Sequence, residues 1–60
     1  MVARVLVVDD DSTVSSVLSA YLRKAGFEPR IAPDGATALQ DWAQWKPDVV
    51  ILDVMLPGIS

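Results

Sequence analysis

The chain has no cysteine and no histidine. The first absence excludes disulfides as a source of stability and fits a reducing compartment. The second removes imidazole bases, and the two together remove the usual zinc ligands. Basic residues are few, five against eight acidic ones, for a net charge of −3. They are scattered and form no patch, which argues against a nucleic-acid surface on this segment. No apolar run approaches the roughly 20 residues that a membrane helix needs. The opening, MVARVLVVDD, has too short an apolar run for a signal peptide and ends in acids instead of small residues. These absences point to a soluble chain of the cytoplasm. With 60 residues it makes at most one small domain. A chain of that size buries only about 60% of its unfolded surface, so its stability is marginal without metals or partners.

What is present alternates between two kinds of element. ARVLVV (about 3–8) is, apart from Arg4, a β-branched and aliphatic run that ends at acids, as in a strand covered on both faces. In the stretch that follows (about 12–25), Val14, Val17, Leu18, Tyr21, Leu22 and Ala25 recur at helical spacing, and Gly26 stands as the stop. FEPRIA (about 27–32) alternates, but Pro29 cannot donate to a ladder, which places this strand at an edge. Pro33-Asp34-Gly35 reads as a turn, and 35–45 as a short helix with Leu39 and Trp42 on its inner face. Lys46-Pro47 ends the helix, and DVVIL (about 48–52) is the third strand. Repeats, linkers and low-complexity tracts are lacking.

A β-α-β-α-β order with short connections predicts parallel strands and right-handed crossovers. If the chain kept moving one way, both helices would lie on one face. If it reverses, the strand order is 2-1-3 and the helices cover opposite faces. Reversal fits better, because strands one and three are apolar at all but one position each, Arg4 and Asp48, and strand two carries the proline. Ligands of such sheets sit beyond the carboxyl ends of the strands, where the order reverses. That point lies between strand one, followed by Asp9, Asp10 and Asp11, and strand three, followed by Asp53.

Several carboxylates in one crevice repel one another, and no Arg or Lys lies close to these in sequence. A hard cation with oxygen ligands suits them, and Mg²⁺ at the mouth of a sheet is the natural candidate. A carboxylate beside bound Mg²⁺ can attack phosphorus and form an acyl phosphate. The ion offsets charge on the transferred oxygens.

Three blocks, VLVVDDD, GFEPRIAPDGATAL and PDVVILDVMLPG, together resemble the receiver domain of two-component response regulators across the whole chain. The 2-1-3 order is the beginning of the flavodoxin-like sheet for which chemotaxis receivers are known, so the fold follows from the resemblance as well as from the residues. The resemblance implies that Asp53 is the phospho-acceptor and that a sensor histidine kinase supplies the phosphoryl group from a phosphohistidine. It implies that Asp10 binds Mg²⁺ directly, with Mn²⁺ as a substitute, and that Asp9 does so directly or through water. Met55 would offer its backbone carbonyl, while Pro57 and Gly58 shape the loop after the acceptor. The domain would be a signalling module, assisting its own phosphorylation without being an enzyme in its own right. A complete receiver has roughly twice this length, so the expectation is an amino-terminal half, engineered or proteolytic. The lysine and hydroxyl residue that contact the phosphoryl group would then be missing, and acceptance impaired. An output domain, often DNA-binding, would lie beyond.

Other readings compete residue by residue. Asp11 and Ser12 begin a helix, where acids are favoured as caps and by the helix dipole. Trp42 and Trp45 at helical spacing are read as packing before a partner patch. Tyr21 packs its ring with the hydroxyl in water, and Glu28 and Arg30 are solvated edge charges. Lys24 and Lys46 sit near helix ends, where cations are mildly favoured. A haloacid-dehalogenase-type phosphatase also uses a strand-end aspartate with Mg²⁺, but Asp53-Val54-Met55 lacks its second acid. A pseudo-receiver that never takes phosphate is the other alternative. The outer edge of strand 49–52 carries no charge, proline or bulge, so self-association there, strand against its own copy, is expected.

Overall fold

The structure, a computed structural model, describes residues 2–52. The elements run β1 (Arg4–Val8), α1 (Ser12–Lys24), β2 (Glu28–Ala32), α2 (Gly35–Trp45) and β3 (Val49–Leu52). The sheet is parallel and ordered β2-β1-β3. β1, the most buried strand, sits between the other two, and the edge position of β2 accommodates Pro29. Backbone bonds carry the pairing past the strand ends, from Glu28 N–H to the Ala3 carbonyl at 2.9 Å and from Asp9 N–H to the Ala32 carbonyl at 3.1 Å.

Both crossover helices have local stops and starts. Asp11 caps α1, its side chain accepting from the Thr13 and Val14 amides. The helix ends in a Schellman turn: Gly26 N–H bonds the Arg23 carbonyl and Phe27 N–H the Leu22 carbonyl. Gly26 sits at φ +95 to allow this, where a side chain would be strained. Asp34 caps α2 through the Thr37 amide, so the expected turn at 33–35 is also a helix start. Lys46, at φ 54, closes α2 in the left-handed region just before Pro47.

Burial is concentrated on the central strand. Val5, Leu6, Val7 and Val8 are at most 3% exposed, and Ala32 joins them. Leu6, Val8 and Ala32 form the core on one face, with Ala38 and Trp45 of α2 against it. The helices do not touch each other, consistent with one on each face of a sheet whose order reverses.

The helix faces differ from the expected ones. On α1 the buried residues are Ser15 and Ser19, with Leu18 and Leu22 half-buried, while Val14, Val17 and Tyr21 stay exposed. Small serines let the helix approach the sheet closely, and the larger residues lie to one side of that contact. On α2, Ala38 and Trp45 meet the core, whereas Leu39 and Trp42 are exposed at 72% and 61%. β3 is likewise half open: α2 touches β1 and β2 but not β3, so Val49, Val50 and Leu52 are exposed among the described residues.

The amino-terminal end of the sheet is tied by charge. Arg4 and Arg30 both lie over the Trp45 ring, 5.7 and 5.2 Å from its centroid. Arg4 Nη1 also donates to the Trp45 carbonyl at 2.7 Å. Arg30 pairs with Asp41 at 3.5 Å, and Arg4 with Glu28 at 3.7 Å.

Candidate functional site

The site expected at the carboxyl end of the sheet starts from the register. β1 pairs in parallel with β3, Val8 opposite Leu52, so the two strands finish side by side. Asp9 and Asp10 follow β1 directly. Asp53, Met55, Pro57 and Gly58 lie outside the described residues.

Three consecutive acids take three different environments. Asp11 is used locally: its Oδ1 accepts from Thr13 N–H at 2.9 Å and Val14 N–H at 3.3 Å, and its carbonyl accepts from Ser15 N–H and Oγ. That is a helix cap, as the residue's position suggested. Asp9 is half-buried, and its Oδ1 accepts from Asp11 N–H at 2.9 Å, an Asx-turn that fixes the direction of its carboxylate. Sequence reasoning did not foresee this bond. Its signal is an aspartate two residues before another at a strand-to-helix corner. Asp10 is exposed, and its side chain has no hydrogen bond or ion pair among the described residues.

The electrostatics at this end are unbalanced. The arginine ion pairs are Arg4–Glu28 and Arg30–Asp41, and the cations near helix ends are Arg23, Lys24 and Lys46. None pairs with Asp9 or Asp10. All donors here are carboxylate oxygens, the set that a hard divalent cation prefers. Among the described residues no three potential ligands converge closely enough to hold an ion alone. Asp9 and Asp10 therefore fit Mg²⁺ as part of a larger set, not as a complete one.

A reversed parallel sheet with acids after its central strand defines a class of small α/β domains whose ligands sit beyond the carboxyl ends of the strands. Comparison with known proteins narrows it to one family. The family model for the response regulator receiver domain matches residues 5–60. The DNA-binding response regulator MtrA of Mycobacterium tuberculosis is 44% identical over 57 residues, 95% of this chain and 25% of that protein. The transcriptional regulatory protein PrrA of Mycobacterium leprae is 50% identical over 57 residues, covering 95% of this chain and 24% of that one. The chemotaxis response regulator CheY4 of Vibrio cholerae superimposes with a TM-score of 0.94 at 37% identity, over 100% of this chain and 50% of that chain. A putative response regulator from Chloroflexus aurantiacus gives 0.93 at 47% identity, over 100% of this chain and 49% of that chain. The chain belongs to the response-regulator receiver family. It spans about a quarter of the length of those two sequence relatives and about half of the matched structures. Among the described residues, no helix is long and apolar enough to cross a membrane.

Proposed function

We propose that the chain is the phospho-accepting module of a two-component phosphorelay. A carboxylate oxygen of Asp53 forms the new O–P bond as the N–P bond to the sensor kinase's phosphohistidine breaks, and the imidazole nitrogen keeps the electron pair. Asp9, Asp10, Asp53 and the Met55 carbonyl would hold Mg²⁺, or Mn²⁺ in its place. The ion supplies positive charge against the transferred oxygens. Pro57 and Gly58 shape the loop that follows. One observation supports the reading: β1 ends beside β3, Val8 opposite Leu52, and Asp9 and Asp10, which follow β1, pair with no cation among the described residues.

Two finer statements belong to this reading. The names of the relatives, a DNA-binding response regulator and a transcriptional regulator, support a role in transcription for a longer protein of this kind. Self-association through the edge of strand 49–52 is supported by the pairing of β3 with β1 alone among the described residues.

Labelling with acetyl phosphate in Mg²⁺, followed by mass spectrometry, tests the acceptor. Phosphate is expected on Asp53 and on no other residue, and Asp53→Asn should abolish it. Asp10→Asn should abolish labelling by weakening the ion. Labelling of these 60 residues taken alone should run more slowly than in a complete receiver, where a further lysine adds transition-state stabilisation. Labelling of Asp53→Asn at the parent rate would remove the assignment.

A further inference from the structure

Aspartates are spread along the whole chain, and one of them, Asp34, is followed by glycine. That dipeptide has a chemistry of its own. The backbone nitrogen after an aspartate can reach back to the aspartate's Cγ and close a five-membered succinimide. A side chain on the following residue crowds that approach, and glycine has none. The other aspartates precede Asp10, Asp11, Ser12, Trp42, Val49 and Val54, each of which carries a Cβ.

The structure pins both reacting groups of Asp34–Gly35. Gly35 opens α2 and Asp34 is its N-cap. Ring closure needs the Gly35 nitrogen nearly eclipsed with Asp34 Cβ, and at ψ 172 the two are staggered. Turning that nitrogen means turning the whole Asp34–Gly35 peptide plane. Its carbonyl accepts from Ala38 N–H at 3.0 Å, which fixes the plane at the start of the helix. The carboxyl is held separately, by Thr37 N–H donating to Oδ1 at 2.7 Å. The Thr37 bonds also keep the carboxyl ionised below its ordinary range, and an anion is a poor target for a nitrogen nucleophile. The bonds of one helical turn therefore stand against the reaction. Helix ends open far more readily than a core strand does.

We infer that Asp34–Gly35 is a latent isoaspartate site, closed while α2 is capped and reactive when its first turn opens. In the open turn the Gly35 nitrogen adds to Cγ of the carboxylic acid. The C–N bond forms, the nitrogen gives up its proton, Cγ gives up hydroxide, and the two leave as water. A second water reopens the ring at one of its two carbonyls. Attack at Cγ restores the aspartate. Attack at the main-chain carbonyl breaks its bond to the Gly35 nitrogen and leaves the chain running through Cγ. That product is isoaspartate, with the mass of the parent. It has one more backbone carbon before Gly35, and its free carboxylate sits directly on Cα. Neither the bond to Thr37 N–H nor the one to Ala38 N–H re-forms as it was. An opening of the turn is thereby made permanent, in the helix that sets Trp45 against the core. The inference is independent of the phospho-acceptor reading, since it uses no metal and no residue of that site.

The intact chain is the sample, kept in neutral buffer with and without urea. Isoaspartate is counted by enzymatic methylation with protein isoaspartate methyltransferase. Peptide mapping then places it, because the isoaspartyl peptide separates from its partner of equal mass. Isoaspartate should accumulate at position 34 in urea, and several-fold more slowly in the folded parent. Gly35→Ala should slow it several-fold in urea, where no fold is at stake. Asp34→Ser, which keeps a capping oxygen but has no carboxyl, should show none there. Thr37→Pro places a proline in the first turn and deletes the capping N–H. In buffer it should raise the rate toward that in urea. The purified isoaspartyl chain should show less helix by far-UV circular dichroism than the parent. Equal rates for the folded parent and the chain in urea overturn the inference. So does a folded Thr37→Pro that reacts at the parent's rate. No isoaspartate at position 34 in urea, or faster formation at Asp11–Ser12, removes the site. An isoaspartyl chain with the parent's circular dichroism removes its consequence for α2.

Discussion

Asp34 shows how much a single exposed carboxylate settles at the start of a helix. Its Oδ1 accepts from Thr37 N–H at 2.7 Å. That bond, followed by one from the Thr37 side chain, holds the Asp34 carboxyl below its ordinary value of 3.8. Because the folded state favours the ionised form, the cap is fully present above the ordinary value and is lost as pH falls through the lower, folded one. Acid titration followed by far-UV circular dichroism should therefore show α2 weakening below about pH 4. Asp34→Asn keeps a capping oxygen but has no charge to lose. Its stability should be lower near neutrality and should fall less steeply in acid than the parent's. Superimposable acid profiles for the two proteins would exclude Asp34 as a contributor. The neighbouring logic at β1 is different. Asp11 is spent on capping α1 and Asp9 is steered by Asp11 N–H, which leaves Asp10 as the acid with no protein partner among those described. A helix start can thus consume an acid that looks catalytic in sequence.

At the scale of elements, α2 is held by Trp45 more than by the rest of its apolar face. Two guanidinium groups lie over its ring, and Arg4 also reaches its carbonyl. Each exposed cation–π contact is worth about 0.5–1 kcal/mol. Trp45→Leu, which keeps apolar bulk but loses both contacts, should therefore cost about 1–2 kcal/mol in urea unfolding at fixed protein concentration. Trp45→Phe should recover part of the loss, and equal destabilisation by the two variants would assign the effect to bulk alone. None of this was legible locally. Arg4 and Arg30 lie 41 and 15 positions from Trp45 in the chain, and only the β2-β1-β3 order brings them together. The order itself was legible, because Pro29 marks an edge and the aliphatic run at Val5–Val8 marks a centre. The inward faces were not. Helical spacing in α1 and α2 adds up every apolar neighbour a helix can serve, so Val14, Val17, Leu39 and Trp42 looked like core beside the residues that are buried. The acids after β1 were readable as a group and Asp11 as the cap among them, whereas the bond from Asp11 N–H that steers Asp9 depends on the corner between strand and helix.

At the scale of the molecule, stability is concentrated in one strand. Among the described residues, four of the five buried apolar ones, Val5 to Val8, belong to β1, and the fifth is Ala32. A chain of 60 residues has roughly 3–9 kcal/mol of stability in total. Truncating a buried leucine to alanine costs about 2–5 kcal/mol, so Leu6→Ala consumes much or all of it. Thermal melts should show a cooperative transition in the parent and little or none in Leu6→Ala. Val50, 36% exposed, has less contact to lose, and Val50→Ala should cost about 1 kcal/mol or less. Equal losses at the two positions would mean that the sheet shares its stability evenly, against the burial seen in β1. The same strand leads into Asp9 and Asp10, so the proposed Mg²⁺ site, if it forms, is coupled to that core. Leu6→Ala should weaken Mg²⁺ binding although Leu6 is no ligand. Excess Mg²⁺ should restore part of the fold, since an ion that binds only the folded state draws the equilibrium toward it. In the double variant with Asp10→Asn that rescue should disappear, which separates a bound ion from a general effect of salt.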